Sequence, residues 1–247
     1  MSIWPNRRRT VRRGFSLIEM LVVIVVIGIL ASIVTGVAGN ARRSAREKRV
    51  RTKMEELVLL IESYKAELGF YPPDAQSLSG GQVEMAPNGK PLVDPVFNPL
   101  FYELTGVLVD PQNGTYRCLL HADSETIPAE VPETYFGRQG FSNSARSDGD
   151  VKFNHAGFQP NDIATISPRG GLEVELLAVP MPWPSKFADD NPNGGGTVNT
   201  WRYNASNPTK NPATFDLWAE YVEGVDASGM PIIRRIGNWS ANTANAQ

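Results

Sequence analysis

The first 70 residues contain two hydrophobic patterns in succession. Residues 15–38 form an almost continuous apolar run, which is interrupted by one carboxylate, Glu19, and is followed by charged residues from Arg42 onward. At about 1.5 Å per residue, a helix over this run is roughly 36 Å long, which is enough for a hydrocarbon core of about 30 Å. The first pattern therefore predicts a transmembrane helix at 15–38.

The second pattern is that of an amphipathic helix, because apolar residues recur every three or four positions. These residues are Met54, Leu57, Val58, Ile61, Tyr64 and Leu68. Gly69 is a typical helix end, and the prolines at 72 and 73 prevent the helix from resuming. We expect no break near residue 40, so the pattern predicts one long helix whose second half, 39–69, carries a head on one face.

The remainder of the chain, 70–239, has the mixed pattern of an α+β head. Residues 80–99 are rich in Gly, Pro and Asn and predict a loop, and residues 240–247 form a polar tail. The last two predicted strands flank a turn that contains Gly224 and Gly229, as in a hairpin or a pair of adjacent strands. Strands are predicted at 101–109, 116–121, 172–179, 214–222 and 231–239.

The charges are segregated along the chain, although the formal net charge is only -2. Residues 1–14 and 40–53 are strongly basic, whereas residues 54–247 have an excess of acidic side chains. An acidic head argues against nucleic-acid binding. The basic segment at 40–53 has two interpretations, contact with lipid headgroups or ion pairs with a neighbouring copy. Because both flanks of the apolar run are basic, charge alone does not orient it in a membrane.

Glu19 is the unusual residue of the apolar run. A carboxylate in lipid costs about 2.5 to 3.5 kcal/mol, so we expect it to have a partner. No other residue of the predicted helix can pair with this carboxylate. We therefore expect its partner to belong to another molecule. If the chain is cut between Gly14 and Phe15, the new amine lies one helical turn from Glu19 and could pair with the Glu19 of a neighbouring copy.

The segment around Glu19 resembles the leader junction of the type IV prepilin and type II secretion pseudopilin superfamily. It reads Gly14-Phe15-Ser16-Leu17-Ile18-Glu19-Met20. The resemblance implies that a prepilin peptidase removes the leader, residues 1–14, by cleaving between Gly14 and Phe15, and methylates the amine of Phe15. Glu19 is then the fifth mature residue and the assembly carboxylate. A secretory signal peptide or an inert signal anchor is the alternative, but neither requires Gly-Phe or Glu19.

The resemblance also implies a location. The protein would be a single-pass protein of the bacterial inner membrane, with its N-terminus in the cytoplasm before processing. Residues 39–69 and the head would then lie in the periplasm. A single cysteine, Cys118, excludes a disulfide within the chain and is expected to be a small buried residue.

Four further segments are similar, in this order, to the major pseudopilin of type II secretion. They are Tyr64-Lys65-Ala66-Glu67-Leu68-Gly69-Phe70-Tyr71-Pro72, Trp201-Arg202-Tyr203, Phe215-Asp216-Leu217-Trp218 and Ile236-Gly237-Asn238-Trp239. The implied fold is pilin-like, a long N-terminal helix whose first half is transmembrane, packed on an antiparallel β-sheet head. Residues 73–199 have no counterpart and are expected to be a large inserted or elaborated loop-rich region.

This second resemblance implies a calcium site in the loop between the last two strands. The chain offers Glu223 and Asp226 there, but Arg234 and Arg235 stand where a second acidic pair is expected. Two guanidinium groups repel a cation and supply no oxygen ligands. We therefore expect no bound calcium, and instead an ion pair between one of these arginines and Glu223 or Asp226.

The sequence contains no pattern that indicates catalysis. His121 and His155 are the only histidines, and no nucleophile elbow, zinc-protease or phosphate-loop motif accompanies them. We therefore expect a protein that is not an enzyme and has no cofactor.

The expected function is that of a pseudopilin subunit of a type II secretion system, which polymerises through its N-terminal helix into a periplasmic filament that drives protein export. Expected partners are the prepilin peptidase, other copies of the chain and related pseudopilins, an inner-membrane assembly platform and membrane lipid. One alternative is a type IV pilus subunit, major or minor, for adhesion, motility or DNA uptake. The other is a membrane-anchored periplasmic binding protein or enzyme.

Overall fold

The computed structural model describes residues 15–79, 81–121, 126–146, 149–167, 171–193 and 195–239, without the side chains of residues 33–42 and 121. The chain divides into two compact units, Met1–Ala45 and Arg46–Gln247. The predicted leader at 1–14, including Gly14, and the predicted polar tail at 240–247 lie outside the described residues.

One helix, α1, runs from Leu17 to Leu68, as the two hydrophobic patterns together predict. Its second half buries Met54, Leu57 and Ile61, the centre of the predicted apolar stripe. The helix ends because Gly69 adopts a left-handed φ of 87° and donates its N–H to the Lys65 carbonyl at 2.8 Å. This is the predicted end of the helix, and glycine is favoured there because other residues are strained at positive φ.

Two short helices and twelve strands follow α1 in the described part of the chain. The helices are α2, Leu100–Thr105, and α3, Val131–Phe136. The strands of the first part are β1, Ala75–Gln76; β2, Leu78–Ser79; β3, Gln82–Val83; β4, Val93–Asp94; β5, Val107–Val109; and β6, Tyr116–Cys118. The later strands are β7, Ser144–Arg146; β8, Ile163–Ile166; β9, Val174–Leu177; β10, Arg202–Asn204; β11, Asp216–Val225; and β12, Pro231–Gly237.

The closing strands form an antiparallel sheet in the order β10-β11-β12. The predicted hairpin is therefore confirmed, and the segment around Arg202 adds the third strand. Strand β11 carries a bulge between Val222 and Gly224. The side chains of Leu217, Ala219 and Ile236 are buried, so this sheet contributes one face to the hydrophobic core.

The strands of the middle region form smaller sheets. Their orders are β1-β4, β2-β3, β6-β5-β7 and β8-β9. The pairing of β5 with β7 is parallel, whereas the other pairs are antiparallel. The expected antiparallel sheet is present in the closing strands, and the parallel pair of β5 and β7 lies within residues 73–199, the region expected to be inserted or elaborated. A parallel neighbour requires a long connection, and here the chain between the two strands includes α3.

The predicted strand at 101–109 is also wrong in its first part, which is helix α2. All residues of α2 are buried, including the polar residues Glu103 and Thr105, so its sequence shows no exposed polar face and no helical period. The predicted strand at 116–121 ends at Cys118 and continues as a 3₁₀ helix, Leu119–His121. The predicted strand at 172–179 is shorter, at Val174–Leu177.

One hydrophobic core joins the head to the second half of α1. Aromatic residues from separate elements meet in it, including Tyr64 of α1, Tyr102 of α2 and Tyr203 of β10, all with an exposed fraction of 1% or less. Cys118 is buried in this core, as predicted. Its Sγ lies 3.3 Å from the Thr105 hydroxyl.

Candidate functional site

Two of the predicted site residues lie at the start of α1, Glu19 in its first turn and Phe15 just before the helix. Phe15 and Ser16 precede the helix, and the Ser16 N–H donates to Glu19 Oε2 at 2.8 Å. This is half of a capping box, in which an acid in the first turn satisfies the N–H of the residue before the helix. The local donor corrects the expectation that only another molecule could supply Glu19 with a partner.

After removal of the predicted leader, which contains Arg12 and Arg13, no cationic side chain would remain near Glu19 in the sequence. No Arg or Lys occurs between Phe15 and Ala41. The positive end of the helix dipole favours an anion in the first turn, but by only about 0.3–1 kcal/mol at an exposed site. The group that could neutralise Glu19 within its own chain is therefore the amine that cleavage before Phe15 would create. A second candidate is the same amine of another copy.

The apolar surface around this turn is uncovered within the described residues. The large hydrophobic side chains from Leu17 to Leu30 have exposed fractions of 46% to 85%, and that of Phe15 is 75%. A helix that is apolar on all sides is typical of burial in a nonpolar environment.

No helix among the described residues is both long enough and apolar enough to cross a membrane. The predicted span at 15–38 includes residues 33–38, whose side chains lie outside the described part of the chain.

The second half of α1 is tied to the head by a buried carboxylate of α2, Glu103. The Tyr64 hydroxyl donates to Glu103 Oε2 at 2.8 Å, and the N–H groups of Ser142 and Asn143 donate to the same carboxylate at 2.8 and 2.9 Å. Burial raises the pKa of Glu103, although these hydrogen bonds and the charge of Arg138 oppose the shift. Burial also raises the pKa of Tyr64, and the negative charge of Glu103 adds to that effect.

Two further polar links join α1 to the head. Lys53 Nζ lies 2.9 Å from Asp162 Oδ2, beside a second ion pair of 3.0 Å with Glu56. The Tyr221 hydroxyl, on strand β11, donates to Glu47 Oε1 at 3.0 Å. The closing sheet and the middle region are therefore each fixed to α1 by a side-chain contact.

The hairpin of β11 and β12 contains the candidate calcium residues, Glu223 and Asp226. Glu223 forms an ion pair with Arg234, so the expected pairing of an arginine with one of these acids is confirmed. Asp226 Oδ1 accepts the N–H groups of Ser228 and Met230 at 2.8 and 2.9 Å, which closes the turn. Among the described residues, no group of three or more His, Cys, Asp or Glu side chains is arranged to hold a metal ion.

A buried charge network within the closing sheet, which links β10, β11 and β12, was not predicted from the sequence. Glu220 Oε2 lies 3.2 Å from Arg202 Nε, and Glu220 Oε1 lies 2.7 Å from Arg235 Nε. The side chain of Arg202 is only 2% exposed, whereas that of Arg235 is 47% exposed. Burial lowers the pKa of Arg202, and the charge of Glu220 opposes this shift.

The Arg202 guanidinium has further contacts, but they do not satisfy it fully. Its Nη1 donates to the Thr200 carbonyl at 3.0 Å and to Asn199 Oδ1 at 3.3 Å, while its Nη2 is buried with no hydrogen-bond partner among the described residues. Arg235, by contrast, stands directly opposite Glu220 in the strand register. Only this cross-strand pair could have been anticipated, and only with the register known.

A second missed carboxylate, Asp74, joins the middle region to the closing strands. It is fully buried, and its Oδ1 lies 2.7 Å from Arg138 Nη2. Its Oδ2 accepts the N–H groups of Ala205 and Ser206 at 2.8 and 2.7 Å. No sequence pattern distinguishes Asp74 from an ordinary loop residue.

Comparison with known proteins adds one finding at the N-terminus. Residues 9–35 match the prokaryotic N-terminal methylation motif. This motif is a substrate signal for prepilin peptidase, implies a membrane-anchored N-terminal segment in bacteria and supports the type IV pilin and pseudopilin class, whose members form multimers. No curated protein and no solved structure matches the chain.

Proposed function

We propose that this chain is a pseudopilin subunit of a type II secretion system, which polymerises through its N-terminal helix into a periplasmic filament that drives protein export. The observation that carries the proposal is the methylation motif at 9–35, together with the long helix α1, which runs from Leu17 to Leu68. Glu19 then falls at the fifth position after the Gly14-Phe15 junction, where its carboxylate can pair with the amine of a neighbouring copy.

The closing sheet supports a secretion subunit over a pilus subunit. The three segments that resemble the major pseudopilin fall on β10, on β11 and around the end of β12, which lie side by side in one sheet. We propose a structural role without catalysis, and a head that folds without calcium because Arg234 neutralises Glu223. We also propose that residues 15–38 anchor the chain in the inner membrane, with the head in the periplasm.

The proposal is tested first by the mature N-terminus. In the bacterium that produces the protein, mass spectrometry of the membrane-bound form should find N-methylated Phe15 as the first residue. A mature chain that begins elsewhere would overturn the proposal. Deletion of the gene should abolish export of folded proteins and leave surface pili unchanged, and the reverse result would identify a type IV pilus subunit.

The second test replaces the assembly carboxylate. Glu19→Leu should leave the protein in the membrane fraction, since removal of a charge favours insertion, but should abolish filaments. Glu67→Leu, which removes an exposed acid from the far end of the same helix, is the matched control and should form filaments. Normal filament yield from Glu19→Leu would refute the pairing of this carboxylate with a neighbour.

A further inference from the structure

The turn between β11 and β12 carries a dense group of exposed apolar side chains. Of the ten exposed large hydrophobic residues in the described part of the head unit, four lie within this short stretch, with exposed fractions of 37% to 56%. They are Val225, Met230, Ile232 and Ile233. We name these four residues, together with the turn 226–229 that joins the strands, the hairpin tip.

The hairpin tip is exposed on both faces of the ribbon. Successive residues of a strand point to opposite faces, and the neighbours Ile232 and Ile233 are both exposed. Strand β10 pairs only with residues 216–218 of β11, so the part of the hairpin beyond them has no third strand among the described residues. A protein that docks on such a ribbon covers one face and leaves the other in water. The boundary between lipid headgroups and acyl chains surrounds the ribbon and covers both.

The contacts of β11 with α1 place the hairpin tip at one end of the head. The Phe215 ring packs against Tyr71, just past the C-terminal end of α1, with 5.1 Å between the ring centroids. Further along the strand, the Tyr221 hydroxyl donates to Glu47, at the other end of the α1 segment within the head unit. Strand β11 therefore runs opposite to α1. It continues for four more residues to Val225, or about 13 Å at about 3.3 Å per residue.

This end of the head is the one that a membrane anchor would hold. The predicted span ends at residue 38, and the head unit begins at Arg46. The eight residues from one to the other are about 12 Å of helix, so this end of the head stays near the bilayer whatever the tilt of the helix. The side chains of Arg46 and Arg49 are exposed here and can contact anionic headgroups.

The charges of the hairpin are compatible with a lipid surface. Between Gly224 and Ile233 the only charged residue is Asp226, whose Oδ1 accepts two backbone N–H groups of the turn. The next acid, Glu223, forms an ion pair with Arg234. An apolar tip with basic side chains at the same end of the molecule is the pattern of a segment that lies in the membrane interface.

We propose that the hairpin tip is a second membrane contact of this chain, inserted at the boundary of headgroups and acyl chains, with Arg46 and Arg49 on the headgroups beside it. The inference rests on the proposed function, because it needs residues 15–38 to anchor the chain in the bilayer. Held at both points, the head keeps one orientation on the membrane before the subunit joins a filament.

Quenching by labelled lipid tests the contact directly. The full chain with Met230→Cys, labelled there with the fluorophore NBD, is reconstituted in vesicles of phosphatidylethanolamine and phosphatidylglycerol. Cys118 can stay, because its thiol is buried. Nitroxide groups on the acyl chains should quench the label about twofold or more, because an interfacial segment lies about 5–10 Å into the headgroup and acyl boundary.

The matched control is Met85→Cys, a methionine that is 60% exposed. Its loop is bonded to Asn207, near the end of the closing sheet that lies away from the tip, so its label should not be quenched. Equal quenching at positions 85 and 230 overturns the contact. A label at 230 that is unquenched, and whose emission shifts to the blue as the ratio of protein to lipid rises, shows that a second copy covers the tip and also overturns it.

Charge substitution provides a second, independent measurement. With the label on Ala227→Cys in the turn, Val225→Asp combined with Met230→Asp should reduce the quenched fraction about tenfold, because a carboxylate is far costlier than an apolar side chain at this depth. The control pair, Val83→Asp with Met85→Asp, should leave the quenched fraction unchanged. All these side chains are exposed, so the fold should be kept, as circular dichroism can verify. Quenching that survives the changes in the tip overturns the proposal.

The same preparations separate this inference from the proposed function. A chain that floats with the vesicles, but whose label at position 230 is not quenched, refutes the tip contact and leaves the proposed function standing. A chain that washes off the vesicles, or whose mature form does not begin at N-methyl-Phe15, refutes the proposed function itself.

Discussion

Removal of the Glu220 carboxylate should destabilise the head strongly, because it leaves a buried arginine without its counter-ion. Glu220 lies between Arg202 and Arg235, at 3.2 and 2.7 Å. The Arg202 side chain is 2% exposed and already has one unsatisfied nitrogen, Nη2. In the Glu220→Ala variant its positive charge therefore remains in a site that water hardly reaches.

The expected loss is about 3 kcal/mol in the free energy of unfolding, at the lower end of the range for breaking a buried ion pair. The size of this loss should depend on how deeply the arginine that remains or is removed is buried. Arg235→Ala removes the other partner, whose side chain is 47% exposed, and should cost no more than about 1 kcal/mol. Arg202→Met combined with Glu220→Leu removes both buried charges and should recover most of the loss.

The assay is thermal unfolding of the full chain in detergent, followed by circular dichroism. For a unit of this size, about 3 kcal/mol corresponds to a decrease in Tm of about 6–12 °C. Added calcium should not restore the Tm of Glu220→Ala. A decrease no larger than that of Arg235→Ala would refute the reasoning, because it would show that Arg202 finds water or another partner when Glu220 is absent.

Three further predictions concern residues at which α1, the middle region and the closing strands are connected. Burial raises the pKa of Glu103 above 4.5, so its contribution to stability is full below about pH 4.5 and is lost as the pH rises through the folded pKa. Glu103→Gln does not titrate, so the free energy of unfolding of the wild type minus that of the variant should fall as the pH rises above about 4.5 in urea titrations; a difference independent of pH would contradict this. Gly69→Ala should lower the free energy of unfolding by about 1 kcal/mol in the same titrations, because the residue has a φ of 87° and an added Cβ would meet no neighbouring atom, so only backbone strain is introduced. An unchanged urea midpoint would show that the helix end relaxes. Asp74→Asn should lower the free energy of unfolding by about 2–3 kcal/mol, because it removes one of the two oxygens that accept hydrogen bonds from Arg138 or from Ala205 and Ser206. A decrease below about 1 kcal/mol would mean that water takes the place of the missing oxygen.

The sequence was sufficient to predict the elements that carry a clear period or a clear stop. Helix α1 could be predicted because its second half repeats apolar residues at helical spacing and ends at Gly69. The closing hairpin could be predicted because two β-branched and aromatic runs flank a glycine-containing turn. In both cases the relevant interactions are close in sequence.

The elements that were missed depend on contacts between distant parts of the chain. Helix α2 is buried on every side, so its composition did not distinguish it from a strand. The parallel pair of β5 and β7 joins Val107 to Ser144, and no local pattern encodes that pairing. The contact of Arg202 with Glu220 joins residues that are not opposite each other in the pairing of β10 with β11, so neither the sequence nor a simple register predicts it.

The contacts of the candidate site could be predicted from the sequence only in part, and the reason is different. Ser16 and Glu19 have the spacing of a capping box, so their hydrogen bond could have been anticipated. We expected a charged partner for Glu19 because a carboxylate is costly in lipid, and that expectation did not consider a hydrogen bond to the backbone at the helix start. The pairing of Glu223 with Arg234 was anticipated because the two acids and two arginines fall on either side of one predicted turn.

The bond between the Ser16 N–H and Glu19 has a consequence for the energetics of polymer growth. Cleavage after Gly14 would not remove the Ser16 amide. A free subunit therefore keeps the hydrogen bond between Glu19 and its own backbone. In the proposed assembly, pairing with the amine of a neighbour must compete with this amide and with the subunit's own new amine, so only the difference in free energy favours joining. If the chain polymerises as proposed, a smaller difference makes incorporation more reversible, so that a misplaced subunit can leave before the next one arrives.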